Sequence, residues 1–143
     1  MAFDAPAAAH LKEWAKGLYR PVYYLFGEDE AAKGQFLDDL KKSLGVDEFN
    51  LTELAGESPD AASEAVNAAS TPPMFSAHRL VVLRRADLGA PALRLVAEYL
   101  RDPLASTVLC LAATAGWPDK KDPAAPAAQT LGGVVSFRAL QPE

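Results

Sequence analysis

The residues with the clearest chemical pattern follow the first apolar run of the chain. Gly27 and Lys33 have the spacing of a phosphate-binding loop, G-x-x-x-x-G-K-[S/T], in which backbone N–H groups and a lysine hold nucleotide phosphates. Ala32 replaces the second glycine, and Gly34 stands where a Ser or Thr would bind Mg²⁺. Since two of the four defining positions are lost, the sequence predicts a degenerate, non-functional phosphate loop at Gly27, Lys33 and Gly34.

Three consecutive acids, Glu28, Asp29 and Glu30, occupy the same loop. Each would repel a triphosphate by on the order of 1 kcal/mol or more near a protein surface, so three acids outweigh one lysine. The acids need no ligand to explain them, because carboxylates at the N-terminus of a helix complement the helix dipole. We therefore expect no tight ATP binding and no cofactor.

The other polar residues do not form a recognisable catalytic pattern. An NTPase needs an acid at the end of a central strand to organise Mg²⁺ and water, but Arg84 and Arg85 stand there. His10 and His78 lack partners at the spacing of metal ligands or of a catalytic triad, so both are expected on the surface. Cys110 lies in an apolar run and is expected to be buried. The sequence predicts no catalytic residue and no metal site, so the chain is not expected to be an enzyme by itself.

The apolar pattern alternates between short β-rich runs and longer amphipathic stretches, which is typical of a parallel α/β sheet. Strands are predicted at 22–26, 48–54, 80–84, 107–112 and 133–138. The third and fourth are almost continuously apolar and should be central. Helices are predicted at 6–17, 29–44, 59–69 and 90–101, the third with Ser58 as its N-cap. The predicted fold is a five-stranded parallel sheet flanked by helices.

Composition is consistent with one domain spanning 1–143, because 143 residues with 50% hydrophobic content can enclose a single core. No apolar run approaches the roughly 20 residues that cross a bilayer, and no secretory signal begins the chain, so a cytoplasmic location without membrane contact is expected. The net charge of −5 argues against a surface that grips phosphate backbones throughout. Residues 1–70 carry a net of −7 and residues 71–143 a net of +2, so an anionic partner would meet the second half.

The loop 116–129 contains three prolines and is predicted to hold at most one short helix. Trp117 in this loop is expected to form a half-buried lid over the sheet. A second irregular segment, the link 70–79, joins the third helix to the third strand. Pro72 and Pro73 hold it away from regular pairing, and Met74 and Phe75 follow at once. Such links run over the surface and often carry function, although an apolar pair can also fold back over the sheet edge.

Two stretches, 21–29 (PVYYLFGED) and 67–86 (NAASTPPMFSAHRLVVLRRA), resemble the delta subunit of the bacterial DNA polymerase III clamp loader. The second stretch contains, in this order, small residues, Thr-Pro-Pro, an apolar-Phe pair, a polar turn, an Arg and an apolar strand. The resemblance implies an AAA+/P-loop NTPase-like module that has lost ATPase function. It also implies that Met74 and Phe75, after the turn at Thr71 and Pro73, insert into a hydrophobic pocket of the ring-shaped beta sliding clamp.

On this reading the chain opens the clamp by preferring its open form, without hydrolysing ATP itself. The partners implied are the clamp and the other clamp-loader subunits, with DNA contacted only in the assembled, replisome-associated complex. The helical lid and collar domains of the family's full-length subunit are not expected within 1–143.

Two alternatives remain open at this stage. One is a P-loop NTPase-like domain that retains weak nucleotide binding through Lys33. The other is a nucleic-acid-binding module that uses Arg79, Arg84, Arg85, Arg94, Lys120 and Lys121. Adjacent residues on a strand point to opposite faces, so Arg84 and Arg85 are poor candidates for a single patch.

Overall fold

The computed structural model describes residues 4–137 and confirms the predicted α/β class. One sheet of five parallel strands has the order β2-β3-β4-β1-β5. Its strands are β1 (Val22–Phe26), β2 (Leu51–Ala55), β3 (Arg79–Arg84), β4 (Thr107–Ala112) and β5 (Val134–Ser136). The helices are α1 (Asp4–Ala15), α2 (Glu30–Leu44), α3 (Ala61–Ala69), α4 (Leu93–Tyr99) and α5 (Ala124–Thr130). Short 3-10 helices occupy Glu48–Asn50 and Ala86–Ala92.

The three inner strands are buried on both faces, which explains their almost continuous apolar sequences. Successive side chains point to opposite faces, so Tyr24 and Phe26 pack with α3, α4 and α5, whereas Tyr23 and Leu25 pack with α1 and α2. The prediction that β3 and β4 are interior strands is confirmed, and β1 joins them because β5 covers its outer edge. Cys110 is buried in β4 as predicted, and burial raises the pKa of its thiol to about 12.

Helix α2 begins and ends where its sequence predicts. Asp29 is the N-cap, and its carboxylate accepts from the Ala32 N–H at 3.0 Å. Gly45 closes the helix in the left-handed conformation, with φ of +64°, and its N–H donates to the Lys41 carbonyl. The acid-rich loop is thus partly explained by local capping.

Several predicted boundaries are wrong. The stretch 48–54 was expected to be all strand, but Asp47 caps a 3-10 helix at Glu48–Asn50, and β2 starts only at Leu51. Ser58 is not an N-cap, because α3 begins at Ala61 and the Ser58 carbonyl, rather than its hydroxyl, accepts from Ala61 N. The fourth helix is shorter than predicted, since a 3-10 helix precedes Leu93. Strand β5 covers 134–136, and position 138 of the prediction lies outside the described residues.

His10 is buried, contrary to the prediction that it lies on the surface. It faces the sheet from α1 and packs edge-on against Tyr23 and Phe36, with ring centroids 5.1 and 6.3 Å away. Burial lowers the pKa of His10, although the nearby Glu13 carboxylate partly opposes this shift. This burial was not predictable from the sequence, because the alanine-rich first helix has no strongly apolar face apart from Leu11 and Trp14.

Across residues 4–137, no helix combines the length and the apolar character that spanning a membrane requires.

Candidate functional site

The loop after β1 makes a close backbone approach to the chain beyond β5. Gly27 has φ of +123°, and a Cβ atom on it would lie 1.6 Å from the Phe137 carbonyl oxygen. Only glycine fits a position with both properties. Internal packing therefore explains why this position is a glycine, and no bound phosphate is needed to explain it.

Five backbone N–H groups of this loop form hydrogen bonds within the protein. In a working phosphate loop, such groups converge on phosphate oxygens. Here the donors and acceptors are Gly27 N to Ala115 O (3.2 Å), Asp29 N to Phe137 O (3.2 Å), Glu30 N to Glu28 O (3.1 Å), Ala32 N to the Asp29 carboxylate (3.0 Å) and Lys33 N to Asp29 O (3.1 Å).

Lys33 is buried, and its ammonium group is held by protein atoms. Its Nζ donates to the Ala113 carbonyl oxygen at 3.0 Å, just beyond the end of β4, and lies 2.7 Å from the Glu30 carboxylate. Gly34 is exposed on α2 with open space where a side chain would lie, and it has no hydroxyl to offer a metal ion. Of the predicted loop residues, Gly27 therefore packs against Phe137, Lys33 forms internal contacts, and Gly34 lies on the open face of α2.

The end of β3 is organised by ion pairs and a turn. Arg84 pairs with Glu53 at 3.0 Å, and Arg85 pairs with Glu57 at 3.2 Å. Asp87, the first acid after β3 in the sequence, accepts from the backbone N–H and the hydroxyl of Thr114 and from the backbone N–H of Ala115, at 2.8 to 3.0 Å. Asp87 thereby ties the turn after β3 to the turn after β4. No group of three or more His, Cys, Asp or Glu side chains within residues 4–137 is arranged to hold a metal ion.

Met74 and Phe75 project from the link 70–79 into solvent, which confirms that the apolar pair does not fold back over the sheet. Met74 is 53% exposed and Phe75 is fully exposed. Phe75 has φ of +55°, in the left-handed region that bulky residues rarely adopt. The pair lies ahead of the amino end of β3, at the opposite edge of the sheet from the phosphate loop.

Arg79 braces the first half of the link. Its buried guanidinium donates to the Thr71 carbonyl at 2.9 Å and to the Pro72 carbonyl at 3.2 Å. The Thr71 hydroxyl donates to the Asn67 carbonyl at 2.8 Å, which fixes the turn that leaves α3. Pro73 is half-buried and precedes the exposed pair. Thr71 and Pro73, both predicted site residues, thus shape the link on which the pair is presented.

Asn50 braces the second half of the link and was not predicted. Its side-chain oxygen accepts from Met74 N at 2.7 Å, and its Nδ2 donates to Met74 O at 2.9 Å. Asp47 orients this amide, because its Oδ1 accepts from the same Nδ2 at 2.9 Å. The two partners are 24 residues apart, so only the Asp47-x-x-Asn50 capping pattern was visible in the sequence, and that pattern does not point to Met74.

Three of the six cations of the nucleic-acid alternative do not form one free patch. Arg79 is buried at the amino end of β3, whereas Arg84 lies at the carboxyl end of the same strand and is paired with Glu53. Five residue steps along a strand span roughly 16 Å. Arg85 is likewise paired with Glu57. The positions and ion pairs of these three arginines therefore do not support a shared phosphate-binding patch.

The loop 116–129 contains α5 as its one helix, which agrees with the prediction of at most one. The expectation for Trp117 is wrong, because this side chain is 62% exposed and does not form a half-buried lid. Asp122, rather than Trp117, is a buried residue of this loop. It accepts from the Tyr24 hydroxyl at 2.7 Å and from the first N–H groups of α5.

Comparison with known proteins gives a family and a fold. A family model described as DNA polymerase III, delta subunit, matches residues 23–131. Comparison with curated proteins finds no match. The fold is similar to that of the DNA clamp loader delta protein of Bacillus subtilis, with a TM-score of 0.83 and 21% identity, covering 94% of this chain and 43% of that one.

The fold is also similar to that of a DNA polymerase III gamma subunit-related protein of Thermotoga maritima. The TM-score is 0.64 and the identity is 13%, covering 96% of this chain and 47% of that one. The chain therefore spans less than half the length of both solved proteins. At 21% and 13% identity, these similarities show the fold alone.

Proposed function

The chain belongs to the DNA polymerase III delta subunit family, and from that premise we propose that it is the clamp-binding domain of a clamp-loader subunit. It docks on the beta sliding clamp of bacterial DNA replication through Met74 and Phe75. The observation that carries this proposal is the full exposure of Phe75 on a link that is braced on both sides.

The apolar pair has the properties of an anchor. Burying one Met and one Phe side chain stabilises a complex by on the order of 3–6 kcal/mol, from which the cost of association is subtracted. Methionine is unbranched and adapts to an irregular pocket. A link that is already held in its projecting conformation loses little further freedom on binding, so more of the burial energy contributes to affinity.

Clamp opening on this proposal comes from differential binding. If Met74 and Phe75 bind an opened form of the ring better than the closed form, the ring shifts toward the open form by the difference in affinity. That step consumes no nucleotide on this chain. The internal bonds of the phosphate loop and of Lys33 support the proposal that the chain neither binds nor hydrolyses ATP.

The wider context is part of the same proposal. The domain would act in the cytoplasm at the replisome, together with other clamp-loader subunits, and DNA would be contacted only by the assembled complex. Further domains of the subunit, a helical lid and a collar, would lie outside residues 1–143.

The surface used for docking can be mapped directly. The chain, labelled with ¹⁵N, is titrated with unlabelled clamp while backbone amide signals are followed by NMR. We expect signals from the link 70–79 to weaken first, because the link lies at the contact, and those of Asn50 to follow, because its side chain is hydrogen-bonded to Met74. Earliest weakening around Trp117 and the carboxyl ends of the strands would contradict the proposal.

A further inference from the structure

Asn50 is a buried polar residue whose side chain contacts a residue outside its own 3-10 helix. It ends the 3-10 helix before β2 and reaches the link 70–79, where it forms hydrogen bonds of 2.7 and 2.9 Å with the backbone N–H and C=O of Met74. The side-chain amide thus pairs with both backbone groups of one residue, as a neighbouring strand would. Among the described residues, no other hydrogen bond joins the start of β2 to the apolar pair.

The orientation of the Asn50 amide is fixed by a third group. Asp47 Oδ1 accepts from Asn50 Nδ2 at 2.9 Å and also from the backbone N–H groups of Phe49 and Asn50, both at 3.1 Å. A flipped amide would set an oxygen against the Asp47 carboxylate and against the Met74 carbonyl. Since both are acceptors only, one orientation alone satisfies the site.

Phe75, the residue after Met74, needs this support from the neighbouring backbone. Phe75 has φ of +55°, and its fully exposed ring forms no packing that would offset an unfavourable backbone conformation. Conformations of this kind persist only where the surroundings impose them. The surroundings here are the Asn50 amide on one side and Arg79, which holds the Thr71 and Pro72 carbonyls, on the other.

We propose that Asn50 is a positioning residue: through the backbone N–H and C=O of Met74 it holds Phe75 in the projecting conformation before a partner arrives. This inference rests on the proposed function, in which Met74 and Phe75 enter an apolar pocket of the clamp. Asn50 itself touches no partner. Its effect is on the fraction of molecules that present the pair correctly.

Loss of a positioning residue and loss of an anchor residue have different effects on the kinetics of binding. If only a fraction of the chain is competent, the apparent dissociation constant is the intrinsic one divided by that fraction. Loss of positioning therefore slows association and leaves dissociation of the formed complex almost unchanged. Loss of an anchor side chain instead speeds dissociation, because contacts are missing in the complex.

The test compares Asn50→Ala and Asn50→Leu with the wild-type chain and with Asn67→Ala. Asn67 is an exposed asparagine on α3 whose backbone carbonyl, not its side chain, contacts Thr71, so its truncation is a matched control. For each chain, amide hydrogen exchange at Met74 is measured without the clamp, and association and dissociation rates are measured on immobilised clamp. Asp47→Ala, at an exposed position, is a third variant that disturbs the Asn50 amide without changing the core.

We expect Met74 exchange to become roughly tenfold or more faster in the Asn50 variants, because local opening no longer breaks two hydrogen bonds. Association should slow about tenfold with dissociation within about twofold of wild type. Asp47→Ala should show the same pattern, less strongly, and Asn67→Ala should match wild type. If the Asn50 variants do not fold, the exchange and association rates of Asp47→Ala are compared with those of wild type instead.

Folded variants that associate at the wild-type rate, or that leave Met74 exchange unchanged, would overturn the positioning role. Failure of the positioning role can be distinguished from failure of the proposed function. If the proposed function is wrong, the wild-type chain does not bind the clamp, but faster Met74 exchange in the Asn50 variants would still show that Asn50 holds the link.

Discussion

The ammonium group of Lys33 donates to the carbonyl oxygen of Ala113 at 3.0 Å, so the lysine of the degenerate phosphate loop joins α2 to the end of β4. In a nucleotide-binding loop this side chain must be free to reach a phosphate. Lys33 is instead a structural residue, with a second contact to Glu30 at 2.7 Å.

Replacing Lys33 by Met should therefore change stability and not nucleotide binding. We expect the free energy of unfolding to fall by about 1–2 kcal/mol, because the Ala113 carbonyl loses a charged donor in a buried place. Titration with Mg²⁺-ATP should give no binding signal for either chain. The matched control is Lys42→Met, an exposed lysine on the same helix, which should alter stability by less than about 0.5 kcal/mol. Micromolar ATP binding that Lys33→Met abolishes would instead support the nucleotide-binding alternative.

The two glycines of the degenerate loop should respond in opposite ways to alanine. Gly27→Ala places a Cβ atom 1.6 Å from the Phe137 carbonyl oxygen at a positive φ, and we expect a loss of at least about 3 kcal/mol in unfolding free energy. Gly34→Ala lies on an open face of α2 and should stabilise the chain by about 0.5–1 kcal/mol. Denaturant unfolding of both variants measures the contrast. Similar changes at both positions would show that the approach to Phe137 does not constrain Gly27.

Burial of His10 predicts a dependence of stability on pH. Its pKa is lowered below the usual 6.5 by burial, so the folded chain favours the neutral ring and the unfolded chain binds the proton more readily. The stabilisation is therefore present above pH 6.5 and is lost as the pH falls below it, with a slope of at most about 1.4 kcal/mol per pH unit. The charged groups that face His10 are Glu13 and Arg20, which stay ionised throughout this range.

Unfolding free energies between about pH 5.5 and about pH 7.5 check this expectation. The slope should disappear in His10→Leu and persist in His78→Gln, since His78 is half-buried beside Tyr19, with ring centroids 5.1 Å apart, and is not part of the core. A slope that remains in His10→Leu would assign the proton uptake to another group.

The parts of the fold that could be predicted from sequence are those determined by local residues. The bounds of β1 and β4 were predicted correctly because every position in them is apolar or buried. The ends of α2 were predictable because Asp29 and Gly45 act within a few residues of their own position. Pro72-Pro73 indicated that the link does not join the sheet, but these residues left open whether the apolar pair faces in or out, and only the resemblance to the delta subunit favoured exposure.

What the sequence could not show depends on contacts between distant residues. The pairing of Asn50 with Met74 joins positions 24 apart, and the Lys33 contact with Ala113 joins positions 80 apart. The burial of His10 depends on how α1 docks on Tyr23 and Phe36. The start of β2 was misplaced because the side chain of Asp47 stabilises a 3-10 turn that the apolar pattern does not record.

The central claim, that Phe75 anchors the chain on the sliding clamp, is tested most directly by one pair of variants. Trp117 is also an exposed aromatic residue, 62% exposed, but lies in the loop after the carboxyl end of β4, at the opposite edge of the sheet. The dissociation constant for the clamp is measured for wild type, Phe75→Ala and Trp117→Ala under identical conditions. We predict weakening by about 30- to 100-fold for Phe75→Ala, as for a central interface residue, and a change within about twofold for Trp117→Ala. Equal affinity of the Phe75→Ala and wild-type chains would contradict the account.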